Sequence, residues 1–122
     1  MAGKNDLESV MKSTAFNIND TNWVKFEKGD AKNIDSKPMD PTGSITKFTI
    51  SLMRVGPGGE FPPHSDPYSH FFYVISGSGE GMLVKDVYKM ESGQILIVKA
   101  GERHGYRNTG KEDMYLITMN IP

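Results

Sequence analysis

The amino-acid sequence predicts an all-β domain, built as a sandwich or a barrel. From residue 44 onward, short apolar segments follow one another at intervals of about ten residues. Most of these segments are bounded by Gly, Asn or charged residues, which are typical of turns. The chain has 122 residues, of which 37% are hydrophobic, so it can bury one core but not a second. We therefore expect a single domain that spans residues 1–122.

The segments before residue 44 are short and polar. Residues 5–12 carry Leu7, Val10 and Met11 at helical spacing, which indicates a brief helix. Residues 16–29 indicate short β segments, and the proline-punctuated stretch that follows, residues 28–43, indicates a loop.

The longer strands begin at residue 44. Residues 44–55 place Phe48, Ile50 and Leu52 on one face of a strand, because side chains alternate between the two faces of a strand. The Gly- and Pro-rich residues 56–63 then break this strand. Further strand segments follow at residues 70–77, 81–90, 93–101, 103–110 and 113–121.

Composition and charge exclude several classes of function. The 14 basic and 15 acidic side chains nearly cancel, and no dense Lys/Arg cluster offers a surface for nucleic acid. The N-terminal residues lack the apolar region of a secretion signal, and no stretch approaches the ~20 apolar residues that cross a membrane. We therefore expect a cytoplasmic protein with no nucleic-acid or membrane partner. Because the chain has no cysteine, any metal must be held by nitrogen and oxygen.

Side chains that can bind a metal stand close together in the sequence. His64 and Asp66 are two residues apart on an extended segment, so both point to the same face. His70 begins the next strand after the turn at Pro67, and His104 begins a later strand. A single histidine on a strand is more often a core or surface residue than a ligand. Three imidazoles and a carboxylate on neighbouring strands, however, form a donor set that suits Fe, Mn, Ni, Cu or Zn.

The spacing around these residues resembles the two-part motif of the cupin superfamily. Three positions depart from that motif: Asp66 stands where a second His is usual, His70 where a Glu is usual, and Lys99 where a Pro is usual. The two departures at ligand positions exchange one metal-binding group for another. The resemblance implies a double-stranded β-helix, or jelly-roll barrel, over about residues 44–119, preceded by an N-terminal extension of about residues 1–43. The positions that fit the motif are Gly58, His64, Gly77, Gly93, Gly101, His104 and Asn108.

The resemblance implies one divalent transition metal, with Fe, Mn, Ni, Zn and Cu as candidates, held by His64, Asp66, His70 and His104. It leaves two functions open. One is a metal-dependent enzyme that acts on an oxygen-rich small molecule by dioxygenase, isomerase, decarboxylase or lyase chemistry. The other is a non-catalytic module that uses the metal to bind or sense a sugar-like or acidic ligand. We expect the enzyme, because four protein ligands leave coordination positions open for a substrate.

Three further side chains are candidates for substrate binding. Tyr106 shares the parity of His104 on its strand, and Arg54 shares the parity of Leu52 on an earlier strand. Tyr68 lies in the turn between two ligand residues, where it would line the mouth of the site. We also expect a homodimer, since cupins are often dimers through sheet edges and an exposed edge favours being covered.

Overall fold

A computed structural model describes residues 13–122, and these residues form one β-sheet that curls on itself. The predicted all-β fold, a jelly-roll barrel, is confirmed. The brief helix predicted at residues 5–12 lies outside the described residues. In the described part of the chain the helical structure is a 3-10 helix at Ile18–Asp20, and no helix there has the length and apolar character needed to cross a membrane.

The strands pair in the spatial order β6-β5-β8-β3-β9-β4-β7, with β2 on the remaining side of β3 and β1 on β2. All the pairings between neighbouring strands are antiparallel. The strands are β1 Val24–Lys25, β2 Lys32–Pro38, β3 Thr49–His64, β4 Ser69–Ser76, β5 Ser78–Leu83, β6 Asp86–Glu91, β7 Ile95–Val98, β8 His104–Asn108 and β9 Met114–Ile121.

Strand β3 is the longest element and ends at His64, one of the predicted metal ligands. The sequence predicted that residues 56–63 break it, which was wrong, because β3 continues to His64. Its first part, Thr49–Val55, pairs with β9, and its last part pairs with β8 from Glu60 onward. Gly58 lies between the two parts with φ at 73°, a conformation that glycine adopts without steric cost. The glycines therefore bend the strand toward a new partner instead of ending it.

Two other predicted segments differ from the structure. The loop predicted at residues 28–43 contains β2, whose one buried apolar residue, Ile34, leaves no alternating apolar pattern to detect. Its pairing with β3 makes it a strand. The single strand predicted at residues 81–90 is divided between β5 and β6, which form a hairpin. Val84 begins the connection with φ at 59°, and a β-branched residue is rare in that conformation, so the sequence carried no turn signal.

The core lies on the inward face of the curled sheet. On β3 this face carries Met53 and Val55, while the face predicted from Phe48, Ile50 and Leu52 is the outer one. The buried apolar side chains of the core are Ile34, Met53, Val55, Phe61, Phe72, Val74, Met90, Leu96, Val98, Tyr106, Met114 and Leu116.

Candidate metal centre

Strand pairing brings the histidines of the chain to one end of the core. His64 ends β3 and His104 begins β8, and the two are direct partners in the register of these strands. His70 lies at the start of β4. The ring of His104 is 4.4 Å from that of His64 and 4.5 Å from that of His70, measured between ring centroids. Asp66 lies in the turn between β3 and β4, so all four predicted ligand residues meet here.

One carboxylate oxygen stands at the centre of this cluster. Asp66 Oδ2 is 2.9 Å from His70 Nε2, 3.1 Å from His64 Nε2 and 3.6 Å from His104 Nε2. The ligand atoms of His64, Asp66 and His104 form a compact group, all within 4.8 Å of one another. His70 is not part of that compact group, although it approaches the same oxygen. The carboxylate oxygen therefore lies within 3.6 Å of a nitrogen of each of the three imidazoles.

The second ring nitrogen of each imidazole, Nδ1, lies within hydrogen-bond distance of an oxygen acceptor. His64 Nδ1 lies 2.8 Å from the carbonyl oxygen of Pro62, and His104 Nδ1 lies 3.0 Å from that of Glu102. His70 Nδ1 lies 2.9 Å from Asn120 Oδ1. Because each of these oxygens accepts a hydrogen bond from Nδ1–H, a neutral imidazole carries its lone pair on Nε2 and presents it to the centre of the cluster.

These residues fit a divalent metal ion. Three Nε2 lone pairs and a carboxylate oxygen face one another at short distances, and acceptors in such contact repel unless a proton or a cation lies between them. Two ligand atoms bound to one ion at about 2.1 Å are themselves about 3.0–3.4 Å apart. The separation of Asp66 Oδ2 from His64 Nε2, 3.1 Å, falls within that spacing, and those from His70 and His104, 2.9 and 3.6 Å, lie just outside it. The donor set, three nitrogens and one oxygen, is the one that Fe, Mn, Ni, Cu and Zn accept.

Lys28 contacts the cluster and was not predicted from the sequence. Its Nζ donates to Asp66 Oδ1 at 2.8 Å and to the Tyr68 hydroxyl at 2.6 Å. Burial lowers the pKa of Lys28, but the hydrogen bonds and charges of these two partners outweigh burial and raise it above its usual value. Burial raises the pKa of Asp66, and its partners, Lys28 first among them, outweigh that effect and lower it. Asp66 is therefore an anion, and Lys28 is the cation that contacts it.

His104 is the most deeply buried of the imidazoles, with 2% of its surface exposed. Burial is the main cause that lowers its pKa below the usual value, and the charges of His70 and His64 act in the same direction. The neutral form of His104, which is the form that binds a metal, is therefore favoured.

A cavity of about 110 Å³ opens beside the cluster. It has an aromatic wall and a polar rim, and His70 and His104 reach into it. Ligand sites for drug-sized molecules usually begin at ~300 Å³, so this cavity suits a small ligand or one end of a longer one. Its other lining residues are Phe26, Lys28, Ser36, Ser51, Met53, Phe61, Tyr68, Phe72, Tyr106, Thr118 and Asn120. A larger groove of about 270 Å³ has none of the predicted ligand residues in its lining.

The structure brings two of the three predicted substrate-binding residues to this cavity. Tyr68 and Tyr106 both line it. Tyr106 is buried, which raises its pKa, so its phenol stays neutral. Arg54 does not reach the cavity, since it bonds to Asp35 at 2.8 Å and stacks over the ring of Trp23. Arg54 was expected on the site-facing side of its strand, and it lies on the outer face of β3 instead.

Two residues that contact the predicted ligands were not predicted from the sequence. Lys28 had no local signal, because it reaches Asp66 from 38 residues away along the chain. Asn120 did carry one: on β9 it shares parity with the buried Leu116 and with Thr118. Polar residues on the core face of a strand need a hydrogen-bond partner, and this alternation would have pointed to Asn120.

Comparison with known proteins agrees with this geometry. A family model described as Cupin domain matches residues 51–120. Among curated proteins, Protein SchB from Streptomyces halstedii is 32% identical over 77 residues, which cover 62% of this chain and 56% of SchB. The match therefore spans little more than half the length of that relative.

Two solved structures share the fold. The polyketide cyclase RemF from Streptomyces resistomycificus superposes with a TM-score of 0.81 at 19% identity, covering 90% of this chain and 80% of RemF. A structure described as a predicted oxalate decarboxylase from Thermotoga maritima gives a TM-score of 0.79 at 16% identity, covering 88% of this chain and 98% of that one. At these identities the likeness shows the fold alone.

Proposed function

The chain belongs to the Cupin domain family, and from this premise we propose that it is a metal-dependent enzyme acting on a small, oxygen-rich molecule. The observation that carries the proposal is the convergence of three imidazole Nε2 atoms on one carboxylate oxygen, with every Nδ1 held by a separate acceptor. Such an arrangement needs a proton or a cation between the facing atoms, and it is the one that prepares nitrogens for a metal.

The proposed ligands are His64, Asp66, His70 and His104, and the proposed cofactor is one divalent ion of Fe, Mn, Ni, Zn or Cu. When bound, such an ion supplies Lewis-acid chemistry, since it polarises a carbonyl or carboxylate oxygen, and redox-active members of the series also activate O₂. Four protein ligands leave room on a six-coordinate ion for a substrate with two oxygens. Chelating dicarbonyls, enediols and α-hydroxy acids are therefore the substrate class.

The residues around the ligands would bind the substrate and exclude water. Phe26, Phe61 and Phe72 form an apolar wall, and Phe61 also stacks on the imidazole of His64 at 3.9 Å. A dry wall lowers the local dielectric and strengthens every charge interaction inside the cavity. Tyr106 stays protonated, so it would donate a hydrogen bond to a substrate oxygen rather than act as a base.

The similar structures support the substrate class without fixing the reaction. One is a polyketide cyclase and the other is described as a predicted oxalate decarboxylase, and polyketides and oxalate are both rich in oxygen. In cyclisation, decarboxylation and isomerisation of such compounds, negative charge builds on oxygen in the transition state. The small cavity favours a molecule of a few heavy atoms, or the end of a longer chain.

Cobalt substitution tests the proposal, because the visible spectrum of cobalt reports on its ligands. We expect chelators with two oxygens, such as oxalate, to change the spectrum, and simple alcohols to leave it unchanged. Turnover is then sought as oxygen consumption or as cleaved or isomerised product. If no chelator changes the spectrum, the open coordination positions do not exist and the proposal is wrong.

A binding module that does not turn over its ligand is the second candidate. The observation in its favour is that the cavity lining contains no Asp or Glu among the described residues, so no free carboxylate stands ready as a general base. Chelators that alter the cobalt spectrum, with no product from any of them, would favour this function.

The homodimer and the cytoplasmic location stay predictions. Strand β7 is an edge of the sheet, and its Ile95 and Ile97 are largely exposed. We propose that a second copy of the chain covers this edge. Light scattering on the full chain measures its mass in solution.

A further inference from the structure

The two carboxylate oxygens of Asp66 have different partners. Its Oδ2 faces the three imidazoles, while its Oδ1 accepts a hydrogen bond from Lys28. These two contacts involve different oxygens, so Asp66 can bind a metal and Lys28 at the same time. Lys28 would then orient the carboxylate, as outer partners of metal ligands commonly do.

Lys28 is also one of the residues around the cavity. Lys28 lines it together with Tyr68, and its side chain is 41% exposed, so a ligand can approach it. An ammonium has three donors, and Asp66 and Tyr68 accept two of them in the described structure. One donor is left for an oxygen of a molecule bound in the cavity.

Lys28 changes the charge of the site. Among the described residues that line the cavity, no other Lys or Arg is present. With neutral imidazoles, the charge of Lys28 cancels that of Asp66, so a divalent ion would retain its full double charge. A ligand with two negative charges neutralises this site, whereas a ligand with one negative charge leaves one positive charge uncompensated.

We propose that Lys28 is a specificity-determining residue that selects small dianionic chelators, such as dicarboxylates, over monoanionic ones of the same shape. The inference rests on the proposed function and narrows its substrate class. A merely structural Lys28 would hold the segment before β2 against Asp66 and would affect stability without affecting this choice.

The test compares oxalate, a dianion, with oxamate, which has nearly the same shape and one negative charge. Dissociation constants for both are measured by titrating the cobalt-loaded wild type, Lys28→Met and Lys28→Arg. The control is Lys32→Met, because Lys32 pairs with Glu60 on the surface and does not line the cavity. Metal content and thermal unfolding are measured for each variant.

In Lys28→Met, we expect the preference for oxalate over oxamate to fall roughly 10- to 100-fold, the worth of a charge-assisted hydrogen bond. Lys28→Arg should keep most of the preference, and Lys32→Met should keep all of it. If Lys28→Met unfolds, Lys28→Gln, which keeps a donor without the charge, takes its place. An unchanged preference in the neutral variant overturns the role of Lys28 while leaving the proposed function intact. Failure of both ligands to bind the wild type overturns both.

Discussion

His70 and Asn120 are direct partners in the register of β4 and β9, and their side chains meet at 2.9 Å between Nδ1 and Oδ1. The imidazoles of His64 and His104 contact backbone carbonyl oxygens through Nδ1, and a substitution cannot remove these oxygens. Asn120 is therefore the one acceptor behind the ligands that can be altered directly.

Replacing Asn120 should weaken metal binding. In Asn120→Leu the acceptor is lost, so His70 is free to change its tautomer and its ring orientation. Losses of this kind usually cost about 10–100-fold in metal affinity. Competition with a coloured chelator measures the affinity. Asn120→Asp keeps an acceptor at the same place and serves as the control, and equal affinity in Asn120→Leu would show that the contact does not hold the ligand.

Single Ala substitutions at His64, Asp66, His70 and His104 should each lower the metal content of the purified protein. Removing one of four donors weakens the site, and Asp66→Ala also removes the only negative charge among the four proposed ligands. Elemental analysis by mass spectrometry gives the metal content. Arg103→Ala is the control, because a guanidinium has no lone pair to offer a metal. Full metal content in His70→Ala would remove His70 from the ligand set.

The free energy of unfolding of the metal-free protein should fall as pH is lowered from about 6.5, the usual pKa of an unfolded histidine. The folded state lowers the pKa of His104, so below that pH the unfolded chain binds a proton that the folded chain does not. The contribution of His104 to the free energy of unfolding is fully present above pH ~6.5 and is lost as the pH falls toward and through the pKa of His104 in the folded state. Urea denaturation across this range, compared with His104→Gln, measures the effect. The variant should show a shallower slope, and an identical slope would contradict the burial of a neutral His104.

Chelation should lower the melting temperature without unfolding the protein. The sheet buries an apolar core of its own, so the fold does not depend on a metal as that of a zinc finger does. We expect the β-sheet circular dichroism to survive treatment with EDTA at room temperature, while the melting temperature falls toward that of the metal-free protein. Loss of the β-sheet signal on chelation would mean that the metal, rather than the core, holds the fold.

Gly77→Ala should destabilise the protein more than Gly93→Ala. Both glycines have positive φ, at 102° and 90°, so both substitutions carry a backbone strain of ~1–3 kcal/mol. A Cβ on Gly77 would also lie 2.6 Å from Met114 Cα, whereas a Cβ on Gly93 has nothing within 4 Å. Urea denaturation gives the two free energies of unfolding. Equal losses would show that β9 moves aside at no cost.

The alternation of apolar residues and the spacing of the histidines were readable from the sequence because both are local. His64 and Asp66 share a face since a strand repeats every two residues, and His70 follows after a short turn. The resemblance to the cupin motif extended this to His104. The all-β fold and the candidate ligands could therefore be predicted from the sequence alone.

Tertiary structure alone decided which face of each strand is inside and which distant residues complete the site. β3 buries Met53 rather than Leu52, a choice made by packing against the curled sheet and not by the pattern itself. Lys28 and Asn120 reach their partners across 38 and 50 residues. Contacts of that range depend on strand pairing and curvature, which no local pattern encodes. The proposed ligands could therefore be predicted from the sequence, whereas the side chains that contact them from distant strands were decided by the fold.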